Sequence, residues 1–429
     1  MSKLERLIEE LCPDGVEYVK FKDTCQYIRG ITYKKSQEAN NNNDVLPWKV
    51  LRANNITLSS NKLNFNDVKF VKHEVKVKSE QILKTGDILI CAGSGSKEHV
   101  GKVAYIMEDM DYTFGGFMAV IRCNKSLKSR FLFHILTSGL FSSYLSFALN
   151  STTINNLNSS VISNFTFPFP PLPIQEEIVR ILDSFTEKTN ELKAQLEEEL
   201  EARKKQYEWY RNELLIEKKE YLLKELGSVC TFVRGPFGGA LKKEIFKTEG
   251  YAVYEQQNAI YQNLSFRYFV DSEKFTKLER FSIKPGDMIV SCSGTIGKTF
   301  IIPIEAPKGI INQALLKLTP NREMINVYYL QFFFENTISK LLNNVSRGGA
   351  IKNVPSVNEL KKIKIPLPSL EEQQRIVDIL DRFDKLCNDI SEGLPAEIDA
   401  RQKQYEYYRD KLLTFKRLED REGIEDERV

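Results

Sequence analysis

The sequence is poor in the residues and short motifs that mark catalytic and metal sites. It has three histidines and seven cysteines, without a Cys-x-x-Cys pair or a His-x-x-x-His spacing, so we expect reduced thiols and no metal site. The Gly-x-Ser-x-Gly sequence of serine hydrolases and the Asn-Pro-Pro-aromatic methylation sequence are also missing. These absences predict a chain that has no catalytic residues and binds no cofactor of its own.

Long apolar runs are missing too. No stretch of 18 or more apolar residues could span a membrane, and the first 15 residues carry acids where a signal peptide has an apolar core. We therefore expect a cytoplasmic protein that does not contact a membrane. The length of 429 residues exceeds what one hydrophobic core supports, so at least two domains are expected.

Two stretches imitate catalytic motifs without completing them. SCSGTIGKT, from Ser291 to Thr299, ends like a phosphate-binding loop, but that loop needs a glycine where the chain has Cys292. Asp67, Glu74 and Lys76 resemble a nuclease set in which two acids bind a metal and a lysine orients water. Acids and lysines occur at such spacings constantly, so neither stretch is interpreted as a catalytic site.

Charge is distributed unevenly, although the formal net charge is only +3. Residues 16–165 hold 19 Lys and Arg against 12 Asp and Glu, and residues 226–365 hold 19 against 11. Residues 172–225 are acidic, with 10 basic against 14 acidic side chains, and so are residues 366–429, with 11 against 17. Two basic blocks that alternate with acidic ones favour polyanion binding at two places, although one block alone is compatible with chance.

The chain repeats itself. TFPFPPLPIQEEIVRILDSF from position 166 aligns without a gap with KIPLPSLEEQQRIVDILDRF from position 364, and ARKKQYEWYR from 202 aligns with ARQKQYEYYR from 400. Farther upstream, CQYIRG aligns with CTFVRG, and LKTGDILI aligns with IKPGDMIV. This similarity exceeds chance, so the chain is a duplication of a basic globular half followed by an acidic helix.

Each repeat ends in a predicted long helix. It starts after a proline-rich entry, because proline suits a first helical turn but disfavours helix in the residue before it. Apolar residues then recur every three or four positions, as in a coiled coil, from Ile178 to Leu214 and from Ile376 to Leu412. The second copy has Gly393 and Pro395 inside this pattern, which predicts a kink or break.

Two such stripes in one chain most simply pack against each other as an antiparallel pair related by a pseudo-twofold axis. The outer faces are then displayed twice, for two copies of a binding partner. The predicted docking residues are Tyr207, Glu208, Tyr210, Arg211, Tyr405, Glu406, Tyr408 and Arg409. The alternative is a solvated helix face with the aromatic side chains packed beneath it.

The globular halves are rich in predicted strands. Short runs bounded by turn residues occur in both copies: GDILICA, KVAYIM and FMAVIRC in the first, and GDMIVSC, KTFIIPI and ALLKLTP in the second. A helix is predicted near 129–148, with a counterpart near 326–343. The predicted fold class is therefore α+β: two mixed α/β domains in tandem, separated by two long helices that form an antiparallel coiled coil, with pseudo-twofold internal duplication.

The aligned loops keep their framework and exchange polar residues. PWKVLRANNI, from 47, corresponds to YAVYEQQNAI, from 251, and this places Arg52, Asn54 and Asn55 opposite Glu255, Gln257 and Asn258. Side chains of these types make paired hydrogen bonds with DNA base edges. The pattern favours two domains that recognise different short DNA sequences, while free variation of loop residues is the alternative at any one position.

With these features, the chain resembles the specificity subunit of a type I restriction-modification enzyme over essentially its full length. The resemblance is carried by the duplicated entries PLPIQEEIVRILD and PLPSLEEQQRIVDILD, the QYEYYR helix and the two basic globular halves. It implies two target recognition domains, each of which reads one half of a split DNA site from the major groove. The resemblance divides the chain into an N-terminal recognition domain (1–168), a central helix (169–225), a C-terminal recognition domain (226–365), a distal helix (366–415) and a tail expected to be disordered (416–429).

The resemblance also implies partners. These are double-stranded DNA, two methylation subunits and restriction subunits that translocate DNA. S-adenosylmethionine, ATP and Mg would belong to those partners, and this chain would be a non-catalytic subunit that binds no cofactor.

Basic residues in each half are expected to neutralise phosphates, and polar loop residues are expected to choose bases. The DNA-binding candidates are Arg29, Lys34, Lys35, Arg52, Asn54, Asn55 and Lys97 in the first half, and Arg234, Gln256, Gln257, Asn258, Lys298, Arg347 and Lys352 in the second. A competing hypothesis is a bivalent coiled-coil protein-interaction scaffold that binds no nucleic acid, against which the charge distribution argues. A self-contained restriction-methylation enzyme is disfavoured by the missing motifs.

Overall fold

The computed structural model describes residues 2–39, 47–58, 60–150, 156–216, 218, 220–293, 295–345, 355–389 and 391–418, without the side chains at 97, 150, 238, 338, 339 and 341–345. Two predicted DNA-binding residues, Arg347 and Lys352, lie outside the described residues. For Lys97 only the backbone is described.

Strands occur in both halves of the chain. They are β1 Glu17–Lys20, β2 Cys25–Arg29, β3 Trp48–Leu51, β4 Ile56–Thr57, β5 Lys62–Leu63, β6 Lys69–Val71, β7 Ile88–Cys91, β8 Val103–Tyr105, β9 Thr113–Phe114, β10 Met118–Cys123, β11 Thr166–Phe169, β12 Leu222–Glu225, β13 Cys230–Arg234, β14 Tyr251–Tyr254, β15 Phe269–Val270, β16 Met288–Ser291, β17 Thr299–Ile301, β18 Gly309–Ile311, β19 Leu315–Pro320 and β20 Lys364–Leu367. Each of the six apolar runs predicted as strands contains one, so that prediction is confirmed.

The helices range from a single turn to 43 residues. They are α1 Lys3–Leu11, α2 Phe21–Thr24, α3 Ser129–Leu136, α4 Gly139–Asn150, α5 Ser159–Ser163, α6 Leu172–Leu214, α7 Leu226–Val229, α8 Gln256–Tyr261, α9 Ser272–Lys277, α10 Val327–Val345, α11 Val357–Lys361, α12 Leu370–Asn388 and α13 Leu394–Leu412. The helix predicted near 129–148 is two helices, α3 and α4, because the chain turns at Ser138 and the Gly139 N–H donates to the Asp410 carboxylate instead of continuing α3. Among the described residues, no single helix is long and apolar enough to span a membrane, and only the bent pair α3 and α4, taken jointly, has sufficient length and hydropathy.

The chain forms two compact units. Unit 1 comprises Met1–Gln195 and Ile398–Val429, and unit 2 comprises Leu196–Glu397. The division falls inside α6, because the first part of this helix packs in unit 1 and the last part in unit 2. The domain boundaries predicted from the sequence, which set each helix apart as a separate segment, stay a prediction.

The same sheets are built in both units. Unit 1 has a four-stranded sheet in the order β2-β10-β7-β8, and unit 2 has β13-β19-β16-β17. Three-stranded sheets, β6-β3-β9 and β15-β14-β18, and two-stranded sheets, β1-β11 and β12-β20, also correspond. Unit 1 has an additional β4-β5 pair. The duplication inferred from the sequence is therefore present in the strand topology.

The central strands are buried on both faces. All four residues of β7 are buried: Ile88 and Ile90 face one apolar cluster, and Leu89 and Cys91 face another. In β16, Met288 and Val290 likewise face one cluster and Ile289 the opposite one. Burial on both faces explains why these strands are uninterrupted apolar runs in the sequence.

The repeated Gly-Asp sequence before each central strand builds a tight turn. Gly86 and Gly286 have φ of +86° and +84°, a conformation that side chains rarely adopt. The following aspartates close the turn, because Asp87 accepts from the Lys84 N–H at 2.9 Å and Asp287 accepts from the Lys284 N–H at 2.8 Å. The backbone geometry of this turn therefore explains why the Gly-Asp sequence occurs in both copies.

The repeated glutamine near the start of each long helix also has a structural role. Gln175 accepts from the Lys128 N–H at 2.9 Å and donates to the carbonyls of Ser126 and Pro170. Gln373 repeats this with the Asn326 N–H and with two carbonyls of its own unit. Both glutamines are fully buried, so each fixes the start of a helix (α3 or α10) to a long helix.

In unit 1, α3 also contacts α6 through an ion pair. Asp183 accepts from Arg130 Nε at 2.9 Å and contacts His134 Nε2 at 2.9 Å. Burial alone would raise the pKa of Asp183, but the hydrogen bonds from His134 and Arg130 outweigh burial and lower this pKa to about 2. Burial lowers the pKa of His134. Since the Asp183 carboxylate can only accept, His134 Nε2 donates the hydrogen bond between them.

The long helices pack antiparallel within each unit. In unit 1, Phe185 of α6 contacts Tyr405 of α13 with ring centroids 5.5 Å apart, and Lys193 reaches Gln402 at 3.2 Å. In unit 2, Tyr207 and Tyr210 of α6 stack on Phe383 of α12, with centroids 6.2 and 5.2 Å apart. Phe185 also contacts Tyr408, with ring centroids 6.0 Å apart. One phenylalanine and two tyrosines therefore join the helices in both units, because Phe185 corresponds to Phe383 in the repeat, and Tyr405 and Tyr408 correspond to Tyr207 and Tyr210.

The second copy of the long helix consists of two helices. α12 ends at Asn388 and α13 begins at Leu394, whereas α6 is continuous over the corresponding positions. At Gly393 an added Cβ would lie 2.5 Å from the Lys385 carbonyl oxygen, so this glycine permits a close approach of the backbone. The ordered chain extends past α13, because the Leu418 N–H donates to the Val16 carbonyl at 2.9 Å, within the predicted tail. The rest of that tail, 419–429, lies outside the described residues.

Candidate nucleic-acid interface

Two equivalent segments, 52–55 after β3 in unit 1 and 255–258 after β14 in unit 2, form helical turns that we name the two loops, and the second is continuous with α8. The Arg52 N–H donates to Asn55 Oδ1 at 2.8 Å, and the Glu255 N–H donates to Asn258 Oδ1 at 2.8 Å. Each asparagine then donates from Nδ2 to two backbone carbonyls, those of Asn64 and Asp67 before β6 in unit 1 and those of Asn263 and Ser265 before β15 in unit 2. The framework of the two loops is therefore the same.

Two of the predicted base-reading residues, Asn55 and Asn258, form the interior of these loops. Asn55 and Asn258 are fully buried, and both ends of each amide are hydrogen-bonded within the loop. A buried amide with these partners cannot contact a base without unfolding the loop. The structure gives both asparagines a role in shaping the loop that carries the other candidates, and their contact with DNA stays a prediction.

The residues that differ between the loops form ion pairs of reversed polarity. In unit 1, Arg52 Nη2 lies 2.6 Å from Asp67 Oδ2, and Asn54 Nδ2 donates to the same oxygen at 2.8 Å. In unit 2, Arg267 binds Glu255 with both Nε and Nη2, at 3.0 and 3.2 Å. Asp67 and Arg267 each lie two residues before a strand, β6 and β15 respectively. The acid and the base have thus exchanged places on a common framework.

A cleft of about 880 Å³ opens beside the loop of unit 1. Arg52 and Asn54 line it together with Tyr33, His99 and Lys102. Lys102 donates from Nζ to the Ile56 carbonyl at 2.9 Å, and burial lowers its pKa. Lys102 was not among the predicted residues, although VGK at 100–102 aligns with IGK at 296–298 and thus places Lys102 opposite the candidate Lys298.

The other candidates of unit 1 do not line this cleft, although Lys34 and Lys35 directly follow its lining residue Tyr33. Arg29 is half-buried at the end of β2, and its carbonyl accepts from Gln81 Nε2 at 3.0 Å. Lys34 and Lys35 are exposed at a short helical turn after this strand. The exposed ring of Phe117, which no sequence pattern singled out, also lines the cleft.

The candidates of unit 2 are also accessible, apart from Asn258. Arg234 is exposed at the end of β13, and Lys298 is exposed before β17. Gln256 is half-buried and accepts from Ser293 Oγ at 3.0 Å, while Gln257 donates to the Ser265 carbonyl at 3.5 Å. The Phe237 ring is almost fully exposed close to Arg234 and was likewise missed. Their role in DNA binding stays a prediction.

The predicted docking residues of the helices divide into packed and exposed groups. Tyr207 is buried and its ring contacts the Arg211 guanidinium, and in unit 1 the half-buried Tyr405 ring contacts Arg409, which is itself buried. Tyr210 and Tyr408 also pack against the facing phenylalanines. These side chains hold the helices together; Tyr207 and Arg409 are buried in this packing, and a role of the eight residues in docking stays a prediction.

The more exposed aromatic residues of the repeat directly precede Tyr210 and Tyr408 in the sequence. Trp209 is 58% exposed and Tyr407 is 62% exposed, and the two are equivalent in the repeat. Glu208 is exposed beside Trp209, and Glu406 is half-buried and accepts from Gln402 Nε2 at 2.6 Å. Trp209 and Tyr407 are therefore the equivalent aromatic side chains that face solvent most on the two helices.

Within the described ranges, no group of three or more His, Cys, Asp or Glu side chains is arranged to hold a metal ion. The seven cysteines are free thiols. Cys25 and Cys123 are cross-strand neighbours, and the hydrogen bond between their thiols, together with burial, raises the pKa of Cys123.

Comparison with known proteins agrees with the duplicated architecture. The type I restriction modification DNA specificity domain matches the chain twice, over residues 13–202 and 218–400. A putative type I restriction enzyme specificity subunit of Haemophilus influenzae is 34% identical over 343 residues, which cover 74% of this chain and 84% of that protein. The EcoR124I/EcoR124II specificity subunit of Escherichia coli is 36% identical over 262 residues, or 59% of this chain and 62% of that protein.

Solved structures share the fold. A chain from work on complex assembly and conformational transition of the type I R-M system superposes with a TM-score of 0.73 at 18% identity, covering 94% of this chain and 98% of that chain. The HsdS subunit of Thermoanaerobacter tengcongensis gives a TM-score of 0.59 at 18% identity, covering 95% and 98%. With two domain matches and a relative above 30% identity, the chain belongs to the family of type I restriction-modification DNA specificity subunits.

Proposed function

We propose that this chain recognises a bipartite DNA site for a type I restriction-modification complex, with one globular half reading each part of the site. The observation that carries the proposal is the pair of equivalent loops at 52–55 and 255–258. Their buried asparagines are identical, whereas their accessible polar residues differ in charge. A shared framework with different accessible groups is what two readers of different sequences require.

Electrostatics support the same proposal. Each globular half has an excess of basic residues, 19 against 12 and 19 against 11, over the blocks 16–165 and 226–365. Exposed lysines such as Lys34, Lys35 and Lys298 are suited to phosphate contacts, which fix the position of a protein on the duplex. Most of the affinity is then electrostatic, and the base contacts supply the choice of site.

The partners follow from the duplicated helices. Two methylation subunits dock on equivalent surfaces centred on Trp209 and Tyr407, and restriction subunits join the complex through them. S-adenosylmethionine, ATP and Mg are bound by those subunits, and this chain acts without catalysis or a cofactor, in the cytoplasm where its DNA lies. Exposed aromatic residues at equivalent positions support this, because aromatic side chains are enriched at protein interfaces.

An electrophoretic mobility shift over a range of salt tests DNA binding. The chain, alone and with its methylation subunits, should bind duplex DNA with an affinity that falls about 10³-fold or more between 50 and 200 mM salt, as expected for six or more phosphate contacts. The double variant Lys34→Ala with Lys35→Ala should reduce the salt dependence by about two phosphate contacts. Lys277→Ala is the matched control, because Lys277 is paired with Glu273 at 2.5 Å.

The result that would contradict the proposal is the absence of duplex binding at low salt, even with methylation subunits present. That outcome would favour the protein-interaction scaffold instead.

A further inference from the structure

The exchanged ion pairs give the two units different accessible groups at equivalent places. In unit 1 the acid is the more accessible partner, since the Asp67 side chain is 63% exposed and that of Arg52 is 32% exposed. In unit 2 the base is the more accessible partner, since the Arg267 side chain is 61% exposed and that of Glu255 is 13% exposed. Unit 1 therefore offers a carboxylate to a ligand, and unit 2 offers a guanidinium.

Each accessible group is held in one orientation and keeps free hydrogen-bonding capacity. Asp67 Oδ2 accepts from both Arg52 and Asn54, whereas Oδ1 accepts from no described residue. Arg267 uses Nε and Nη2 for Glu255, and its guanidinium lies 5.6 Å from the centre of the Tyr268 ring, while Nη1 donates to no described residue. Such fixed groups lose little conformational entropy when a ligand binds.

Stability does not explain these ion pairs. Exposed ion pairs contribute little to folding, so a pair retained only for stability would have no reason to reverse its polarity between two copies of one framework. The fully buried Asn55 and Asn258, by contrast, are identical in the two copies. What changed between the copies is therefore the chemistry that is presented outward.

We propose that Asp67 and Arg267 are specificity-determining residues, with Asp67 accepting a hydrogen bond from the amino group of a cytosine and Arg267 donating to the acceptor edge of a guanine. The inference rests on the proposed function. A carboxylate pairs with the cytosine N4 amino group, and an arginine pairs with guanine O6 and N7, in the major groove. The part of the site read by unit 1 thus requires cytosine at one position, and the part read by unit 2 requires guanine at one position.

Methylation mapping of variants tests this assignment. The full chain is assembled with its methylation subunits, and the methylated motif in genomic DNA is determined by single-molecule sequencing. Arg267→Gln should replace guanine by adenine at one position of one half, because glutamine pairs with adenine, and should lower methylation of the original sites by roughly 10- to 100-fold. Asp67→Asn should remove the requirement for cytosine at one position in the other half, and it should lower methylation of the original sites by a similar factor.

Matched controls separate base reading from loss of an ion pair. Asp109→Asn removes a carboxylate that is as exposed as that of Asp67 and is paired with Lys84. Arg375→Gln removes an arginine that binds Glu372 with two nitrogens. Both should leave the motif unchanged. Arg267→Lys keeps the charge but not the two-nitrogen geometry, and it should lose discrimination at the same guanine position. This variant replaces Arg267→Gln in the test if Arg267→Gln does not fold.

Three results overturn the inference. These are an unchanged motif in folded Asp67 and Arg267 variants, a uniform loss of methylation without a change in motif, and an altered base in the wrong half. If the unsubstituted chain with its methylation subunits methylates no bipartite motif, the proposed function itself fails.

Discussion

The loop framework makes the most quantitative prediction. Asn55→Ala removes three hydrogen bonds, from the Arg52 N–H at 2.8 Å and to the carbonyls of Asn64 and Asp67 at 3.1 and 3.3 Å. At about 1 kcal/mol for each bond, unit 1 should lose about 3 kcal/mol of its free energy of unfolding. Asn258→Ala should cost unit 2 a similar amount, since Asn258 makes three equivalent bonds at 2.8, 3.0 and 2.9 Å.

Hydrogen exchange locates these effects. The amide of Arg52 should lose its protection in Asn55→Ala while the amide of Glu255 keeps its protection, and Asn258→Ala should give the reverse. The controls are Asn54→Ala and Gln257→Ala, each of which removes one hydrogen bond of an exposed or half-buried side chain and should cost no more than about 1 kcal/mol. The reasoning would be refuted if Asn54→Ala were as destabilising as Asn55→Ala, or if the exchange of the Arg52 amide were unaffected by Asn55→Ala.

Three further predictions follow from the packing. Gly30→Ala places a Cβ 2.2 Å from a backbone oxygen and should cost roughly 2 kcal/mol in thermal or urea unfolding, whereas Gly95→Ala, with nothing within 4 Å, should not. Phe383→Ala should destabilise unit 2 by roughly 2 to 3 kcal/mol, whereas Trp209→Ala should leave unfolding unchanged and weaken binding of the methylation subunits in a pull-down titration. Asp183 has a pKa of about 2 in the fold, below its ordinary value of 3.8, so its stabilisation is present above about pH 4 and is lost as pH falls towards 2. Asp183→Asn should flatten the acid unfolding curve in that window, and an unchanged curve would contradict the role given to its hydrogen bonds.

The fold could be predicted well from the sequence because its signals are local and occur twice. Apolar runs between turn residues located the central strands, and the three-to-four-residue spacing located α6, α12 and α13. The turn between α3 and α4 was missed, because the Asp410 carboxylate that caps Gly139 is distant in the sequence. Long-range contacts of this kind leave no periodic pattern.

The candidate site was predicted less well, and the repeat itself explains why. Asn55 and Asn258 are identical in the aligned loops, which is the signature of a shared framework and not of two different readers. Arg52 and Glu255 differ, and they are the positions at which the chemistry was exchanged. Their partners, Asp67 and Arg267, were missed as readers because only the folded loop brings them together.

The helices show the same distinction. Tyr207 belongs to the apolar stripe and is buried accordingly. Trp209 lies off that stripe, and an aromatic residue off the stripe in both copies was the signal for an exposed surface.

The central claim is that two independent readers are carried by one chain. Replacing residues 226–365 by the corresponding segment of another specificity subunit, and mapping the methylated motif of the hybrid with its methylation subunits, tests it most directly. The account predicts that one half of the recognised site changes and the other half is retained. A hybrid in which both halves change, or neither does, would contradict it.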